Sequence, residues 1–276
     1  QMEAPTAIII THPHPDHFHP QTLRHFQRDT PVYLPPFPSE IMPKILNRMG
    51  FTNIQEIPWE APLILSDKTS FSFLRPNTVW EDAAVLVRVA NWTWLNQNDA
   101  GTPLKDKAVP TNIDLLSSTF DDGASGYPLT WAMAENKRSA IMSNSRKQIL
   151  HSILERCSQT RAKHFSPFAG WWRHSFADHQ IYARQLDHIT MSDLDIALES
   201  IETNFIPSIP STKIKLKDMS FTQSPEAVEA LARRPFTKKQ PQESSMPDQV
   251  LVDAIRSKLA ALSAMSYATD CENVTF

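Results

Sequence analysis

An α/β fold is predicted by three observations. Residues 7–49 read as strand, helix, strand, helix; residues 54–95 read as a succession of short β segments; and a long helix at 137–157 leads into a further strand at 162–165. Alternating elements followed by a strand-rich stretch are the order of a domain that packs helices on sheets.

Each element has a local reason. The run Ala7-Ile8-Ile9-Ile10-Thr11 is apolar and β-branched, which predicts a buried strand ending where a polar motif begins. A short helix follows Pro20 over residues 21–28, then a strand at 32–34 and an amphipathic helix at 39–49 that Gly50 stops. Strands are predicted at 63–65, 71–74, 83–89 and 92–95, with a tight connection at Ala90-Asn91, and another at 113–117. Past the long helix and the strand at 162–165, a helix is predicted at 177–186. Beyond residue 203 the pattern weakens to a strand at 213–216, a helix at 225–233, a polar linker at 235–247 and an amphipathic terminal helix at 249–265. Residues 1–203 therefore read as one catalytic domain and 204–276 as a mainly helical extension.

The bulk properties set limits. With 276 residues and 41% hydrophobic content the chain has enough apolar material for a substantial core. Its net charge of −3 comes from interspersed charges rather than blocks, so nucleic acid is not an expected partner. Cys157 and Cys271 share no spacing that implies a disulfide framework or a zinc knot. No apolar run approaches the roughly 18 residues of a membrane span, and no signal-peptide pattern opens the chain, so a cytoplasmic setting is expected. The abrupt start at Gln1, directly ahead of an apolar run and a dense histidine motif, leads us to expect a fragment lacking its first strands.

Four of the ten histidines fall between His12 and His19. Pro13 and Pro15 exclude an α-helix in Thr11-His12-Pro13-His14-Pro15-Asp16-His17, so the segment is extended or turned. In an extended chain His12, His14 and Asp16 share a face at steps of about 6 to 7 Å, and a turn after Asp16 brings His17 round to them. Imidazoles and a carboxylate converging at a strand end are metal ligands, and a solvated histidine-rich loop is the plainer alternative. His19 and His25 lie outside the spacing and read as outer neighbours or surface residues.

This motif resembles the signature of the metallo-β-lactamase superfamily, which implies an αβ/βα four-layer sandwich with a two-metal centre at one edge of the sheets. Segment 117–130, containing Asp121, Asp122, Gly123, Gly126 and Pro128, and the segment Pro167-Phe168-Ala169-Gly170 resemble more narrowly the branch of CMP-N-acetylneuraminate hydroxylase and other Rieske-associated proteins. The likeness runs from about residue 7 to about residue 187. Carried over by position, it implies that His12 and His14 hold one metal, that Asp16 and His17 hold the other, that Asp99 bridges them and that His174 completes a shell.

Two departures bear on the chemistry. Where the branch places a histidine ahead of the strand at 83–89, this chain has Thr78, and the nearest ligand-type groups are Glu81 and Asp82. His174 also sits about two residues earlier than the family's late histidine, where Phe176 stands, which leaves His179 as the fallback. If Glu81 or Asp82 joins His12 and His14, the site has the two histidines and one carboxylate that suit non-haem iron(II), whereas an all-histidine site suits zinc; the plainer alternative is that both are solvated carboxylates. Trp171 and Trp172 are candidates to wall a substrate pocket, against the plainer reading of a core or rim pair. Loop 121–128 either offers backbone N–H groups to an anionic substrate or packs as a turn under the site.

Three functions follow. The branch resemblance implies an iron oxygenase acting on a small molecule, with a Rieske or ferredoxin-type iron–sulfur donor on a missing region or separate chain, because this sequence has no paired cysteine and histidine motifs for such a cluster. The commonest chemistry of the superfamily implies instead a di-zinc hydrolase of an ester, thioester or phosphodiester, with Asp16 or Asp99 positioning the nucleophile. Thr78 admits a third reading, a scaffold that has lost its metal chemistry. The oxygenase is the reading favoured here.

Overall fold

The computed structural model describes residues 4–78, 80–100, 109–120, 133–168, 189–209 and 212–224. Two compact units divide the chain, Gln1–Arg173 with Ile181–Pro235 and His174–Gln180 with Phe236–Phe276, and all described residues belong to the first. The helices expected at 177–186, 225–233 and 249–265, the linker at 235–247 and the loop at 121–128 lie outside the described residues.

The N-terminal order of strand, helix, strand, helix is the predicted one, although the buried strand expected at 7–11 is a strand only at the half-buried Ile8–Ile9. Strand β1 (Ile8–Ile9) leads through helix α1 (Pro20–Leu23) to β2 (Val32–Leu34), and helix α2 (Ile41–Arg48) leads to β3 (Ile54–Glu56). The three strands form a parallel sheet in the order β1-β2-β3. Gly50, at φ +89°, closes α2, with its N–H and that of Phe51 donating to the carbonyls of Asn47 and Leu46. That left-handed position is the one a helix C-terminus assigns to glycine.

A second sheet has the order β10-β9-β8-β7-β6-β5-β4. Strands β4 (Leu63–Ile64), β5 (Thr69–Leu74), β6 (Ala84–Val89) and β7 (Trp92–Asn98) are an antiparallel meander. Strands β8 (Leu115–Ser118), β9 (His164–Pro167) and β10 (Asn204–Phe205) continue it in parallel. Helices α3 (Glu135–Thr160) and α4 (Met191–Glu199) connect these parallel strands. A two-stranded ribbon, β11 (Lys213–Ile214) with β12 (Phe221–Thr222), follows. Strand β10 begins at residue 204, directly after the boundary drawn from the sequence, and is hydrogen-bonded to β9 as an edge of this sheet.

Side-chain alternation along the strands fixes the layering. Val32 and Leu34 of β2 pack with Met42 and Leu46 of α2. Tyr33 between them, together with Ile9, packs against Phe71, Phe73, Val85 and Val87 of the large sheet. The opposite face of that sheet, with Leu74, Leu86, Leu95, Leu116 and Phe165, packs on Ile153 and Cys157 of α3 and Leu194 and Leu198 of α4. Helix, sheet, sheet, helix is the four-layer αβ/βα sandwich. None of the helices among the described residues is long and apolar enough to cross a membrane.

Several boundaries depart from the sequence reading. The helix expected at 21–28 stops at Leu23, where the Arg28 guanidinium donates to the carbonyls of Leu23, Phe26 and Arg24 and ends the turn. The strand expected at 92–95 continues to Asn98 because it is sandwiched between β6 and β8. Helix α4 was not anticipated. Its start carries a capping box in which Thr190 Oγ1 accepts from Asp193 N while the Asp193 carboxylate accepts from Thr190 N, a signature present in the sequence as Thr190-Met191-Ser192-Asp193.

Candidate metal centre

Three strand ends meet at one place. β1 delivers the histidine motif, β6 begins next to Asp82, and β7 ends next to Asp99. Because β6 and β7 are antiparallel with Val85 opposite Asn96, the start of one and the end of the other share a sheet edge.

The motif leaves β1 extended through His12 and then turns earlier than the sequence reading expects. His17 N and Phe18 N both donate to His14 O, at 3.0 and 2.7 Å, so the turn spans residues 14–17 instead of following Asp16. Phe18 anchors it by burying its ring with Ile10, Leu23 and Leu34. The turn folds the His17 ring back over His12, with centroids 4.0 Å apart, and sets His14 edge-on to His12 at 4.7 Å. Asp16 rides on the outside, its side chain 74% exposed, with Oδ2 3.7 Å from His17 Nε2.

Asp99 is aimed at this cluster by a local irregularity. The β7–β8 register shifts between Asn96 and Asn98, and Asn98 adopts φ +38°, a conformation asparagine tolerates better than most residues. Asn98 Nδ2 donates to Ala83 O at 2.8 Å, tying the end of β7 to the start of β6, and Asn98 Oδ1 accepts from Asp99 N. Asp99 Oδ2 then lies 3.3 Å from His17 Nε2 and 3.6 Å from His12 Nε2. At 3.6 Å the second approach is an electrostatic contact, and His12 Nε2 is fully buried without a hydrogen-bond partner among the described residues.

Two groups of donors result, His12 with His14 and Asp99, and Asp16 with His17 and Asp99; within each group the donor atoms lie within 4.8 Å of one another. A buried imidazole nitrogen that no group among the described residues satisfies, facing a carboxylate and a second imidazole, fits a metal ion. The electrostatics agree. Asp99 is held well below the usual carboxylate range by His12 first and His17 second, against the opposing effect of burial. For His17, burial alone would lower the imidazole, but the hydrogen bond and charge of Asp99, followed by the charges of Asp16 and Asp82, raise it overall. Burial pushes Asp82 up, only partly offset by His12 and by the Ala83 N–H.

The remaining candidates separate. Asp82 is buried with Oδ1 3.3 Å from His12 Nδ1, on the ring edge opposite Nε2, and falls in neither donor group. Glu81 turns away: its two carboxylate oxygens accept from Ser39 N and Ser39 Oγ. Thr78, where the resemblance led us to look for a histidine, accepts from Trp80 N in a turn. His19 caps α1 by accepting from Thr22 N, and His25 is exposed. His174, His179, Trp171 and Trp172 lie outside the described residues. Sequence reasoning missed Thr11, whose Oγ1 is 3.0 Å from His12 Nδ1, and the brace at Asn98; the polar run Asn96-Gln97-Asn98-Asp99 at a strand end was the available signal for the second.

No family model matches the chain. Cytidine monophosphate-N-acetylneuraminic acid hydroxylase of Danio rerio is 27% identical over 174 residues, covering 60% of this chain and 29% of that protein, so the chain spans under a third of the length of this relative. Among solved structures, a variant of CmlA beta-hydroxylase aligns with TM-score 0.47 and 14% identity over 75% of this chain and 44% of that one. The isothiocyanate hydrolase from Delia radicum gut bacteria aligns with TM-score 0.46 and 11% identity over 80% of this chain and 77% of that one. The chain is a four-layer α/β protein with a candidate metal centre, and over 174 residues it is similar to cytidine monophosphate-N-acetylneuraminic acid hydroxylase.

Proposed function

We propose that this chain is the metal-binding part of a non-haem iron hydroxylase that takes electrons from an iron–sulfur donor on another region or another protein. The observation that carries the reading is the donor set of His12, His14 and Asp99. Two imidazoles with one carboxylate suit iron(II) and leave positions open. Similarity to hydroxylases supports the same reading. Because the chain covers so little of that relative, its reaction, substrate and donor all belong to the proposal.

Iron, when bound, would supply the one-electron and dioxygen chemistry. The protein's own groups do the rest. Asp99 enters the site ionised, since the imidazoles hold it below the ordinary carboxylate range. His12 is fully buried and so brings a fixed, desolvated donor, while His14 and Asp16 are exposed and place the opening on the solvent side of the turn. Phe168, its ring 5.9 Å from that of His17, limits water on that flank.

A second reading rests on a different observation. Asp99 belongs to both donor groups, which is the layout of a two-metal clamp for hydrolysis. Metal analysis of anaerobically purified protein, followed by dioxygen-consumption assays with and without a reduced ferredoxin-type donor, tests the choice. The hydroxylase reading expects predominantly iron and donor-dependent dioxygen uptake. Stoichiometric zinc with hydrolysis of an ester, thioester or phosphodiester in the absence of any reductant would overturn it and establish the hydrolase.

A further inference from the structure

Asp82 is buried at 8% exposure beside the metal centre, yet it belongs to neither donor group. Its Oδ1 accepts from the N–H of Ala83 at 2.8 Å, which sets the carboxylate, and the same oxygen is 3.3 Å from His12 Nδ1. His12 thus faces oxygen on both ring edges, Asp82 at Nδ1 and Asp99 at Nε2.

A neutral imidazole has one N–H and one lone pair. Thr11 Oγ1, 3.0 Å from Nδ1, can donate or accept and so decides nothing. An ionised Asp82 can only accept. At 3.3 Å it lies nearer Nδ1 than Asp99 lies to Nε2 at 3.6 Å, so it draws the ring proton to Nδ1, and the lone pair then falls on Nε2, a buried nitrogen without a hydrogen-bond partner among the described residues.

We propose that Asp82 is a positioning residue: it fixes His12 as the Nδ1–H tautomer and holds the ring so that Nε2 is presented to the metal shared with His14 and Asp99. Asp82 is therefore not the third protein ligand of that metal, although its sequence position makes it a candidate. The role rests on the metal-centre reading above. It also has a consequence for it, since the first metal keeps only three protein donors among the described residues and retains open positions.

The test has two readouts. The first is the tautomer of His12 in the metal-free protein, from long-range proton–nitrogen correlations of the imidazole at a pH where it is neutral, assigned with a His12→Gln variant. The wild type is expected to show Nδ1–H, and Asp82→Ala to shift His12 towards Nε2–H. The second is the affinity for added iron(II) and for zinc(II) alone. Loss of an outer-shell partner of a ligating histidine weakens metal binding by about 10- to 100-fold, so Asp82→Ala should show that loss. Asp82→Asn keeps an acceptor oxygen for Nδ1–H and should recover most of the affinity. Equal loss in the two variants together with a reduced number of bound ions would make Asp82 a direct ligand and overturn the proposal, as would an unchanged His12 tautomer in Asp82→Ala. If the wild type takes up neither metal, the metal-centre reading fails, while the tautomer measurement still decides what Asp82 does to His12.

Discussion

The Oδ2 atom of Asp99 lies 3.3 Å from the Nε2 atom of His17, and the contact joins the end of β7 to the turn after β1. The same oxygen faces His12 Nε2 at 3.6 Å, so one carboxylate serves both donor groups.

Asp99→Ala should therefore remove metal from both groups, and Asp16→Ala from the second group alone. Elemental analysis after dialysis is expected to show near-complete loss in the first variant and partial loss in the second. Circular dichroism should show both folded, because neither side chain covers a hydrophobic cluster of the sandwich. Equal metal content in Asp99→Ala and wild type would remove Asp99 from the centre.

His17 makes the metal-free protein sensitive to pH. Its folded-state value is raised above the ordinary 6.5, so its contribution to stability is fully present below 6.5 and is lost as pH rises through the folded value. Asp99 has the opposite sign: its value is depressed, so its contribution is present above the ordinary 3.8 and is lost as pH falls through the folded value. Denaturant unfolding of wild type and His17→Gln across the neutral range should show a declining stability with rising pH in the wild type and a flatter profile in the variant. Metal must displace the same proton, so metal affinity should rise over that range. A wild-type profile indistinguishable from the variant's would refute the coupling.

Glu81→Gln should leave metal content unchanged. Both carboxylate oxygens of Glu81 are engaged by Ser39, ahead of α2, so the expected effect is a loss of about 1 kcal/mol of stability, the scale of a weakened hydrogen bond to a charged group. A drop in bound metal without a change in unfolding midpoint would put Glu81 at the centre after all.

Thr190→Ala should destabilise the domain by about 1 kcal/mol through loss of the N-terminal cap of α4. Asp193→Ala should cost more, since the Asp193 carboxylate also meets Arg146 of α3 at 2.7 Å. Equal unfolding midpoints for wild type and both variants would show that the cap carries no stability.

The parts of this protein that rest on local physics are legible in its sequence. Two prolines keep the histidine motif out of a helix, the β-branched run before it forms a strand, though only over the half-buried Ile8–Ile9, and alternation within 32–34 and 71–74 places the faces that become layers. Even the unanticipated α4 announced itself in Thr190 and Asp193. Other features were decided by contacts between distant segments. Glu81 and Asp82 are neighbours of the same chemical type, and nothing local distinguishes them; the strand that follows sends one carboxylate to Ser39 and the other to His12. The sharing of Asp99 by two donor groups depends on a register shift in β7 and on Asn98 reaching across to Ala83. Periodicity states which face of a strand a side chain takes, but a metal centre is made where the ends of several strands meet, and only the packing of the two sheets brings those ends together.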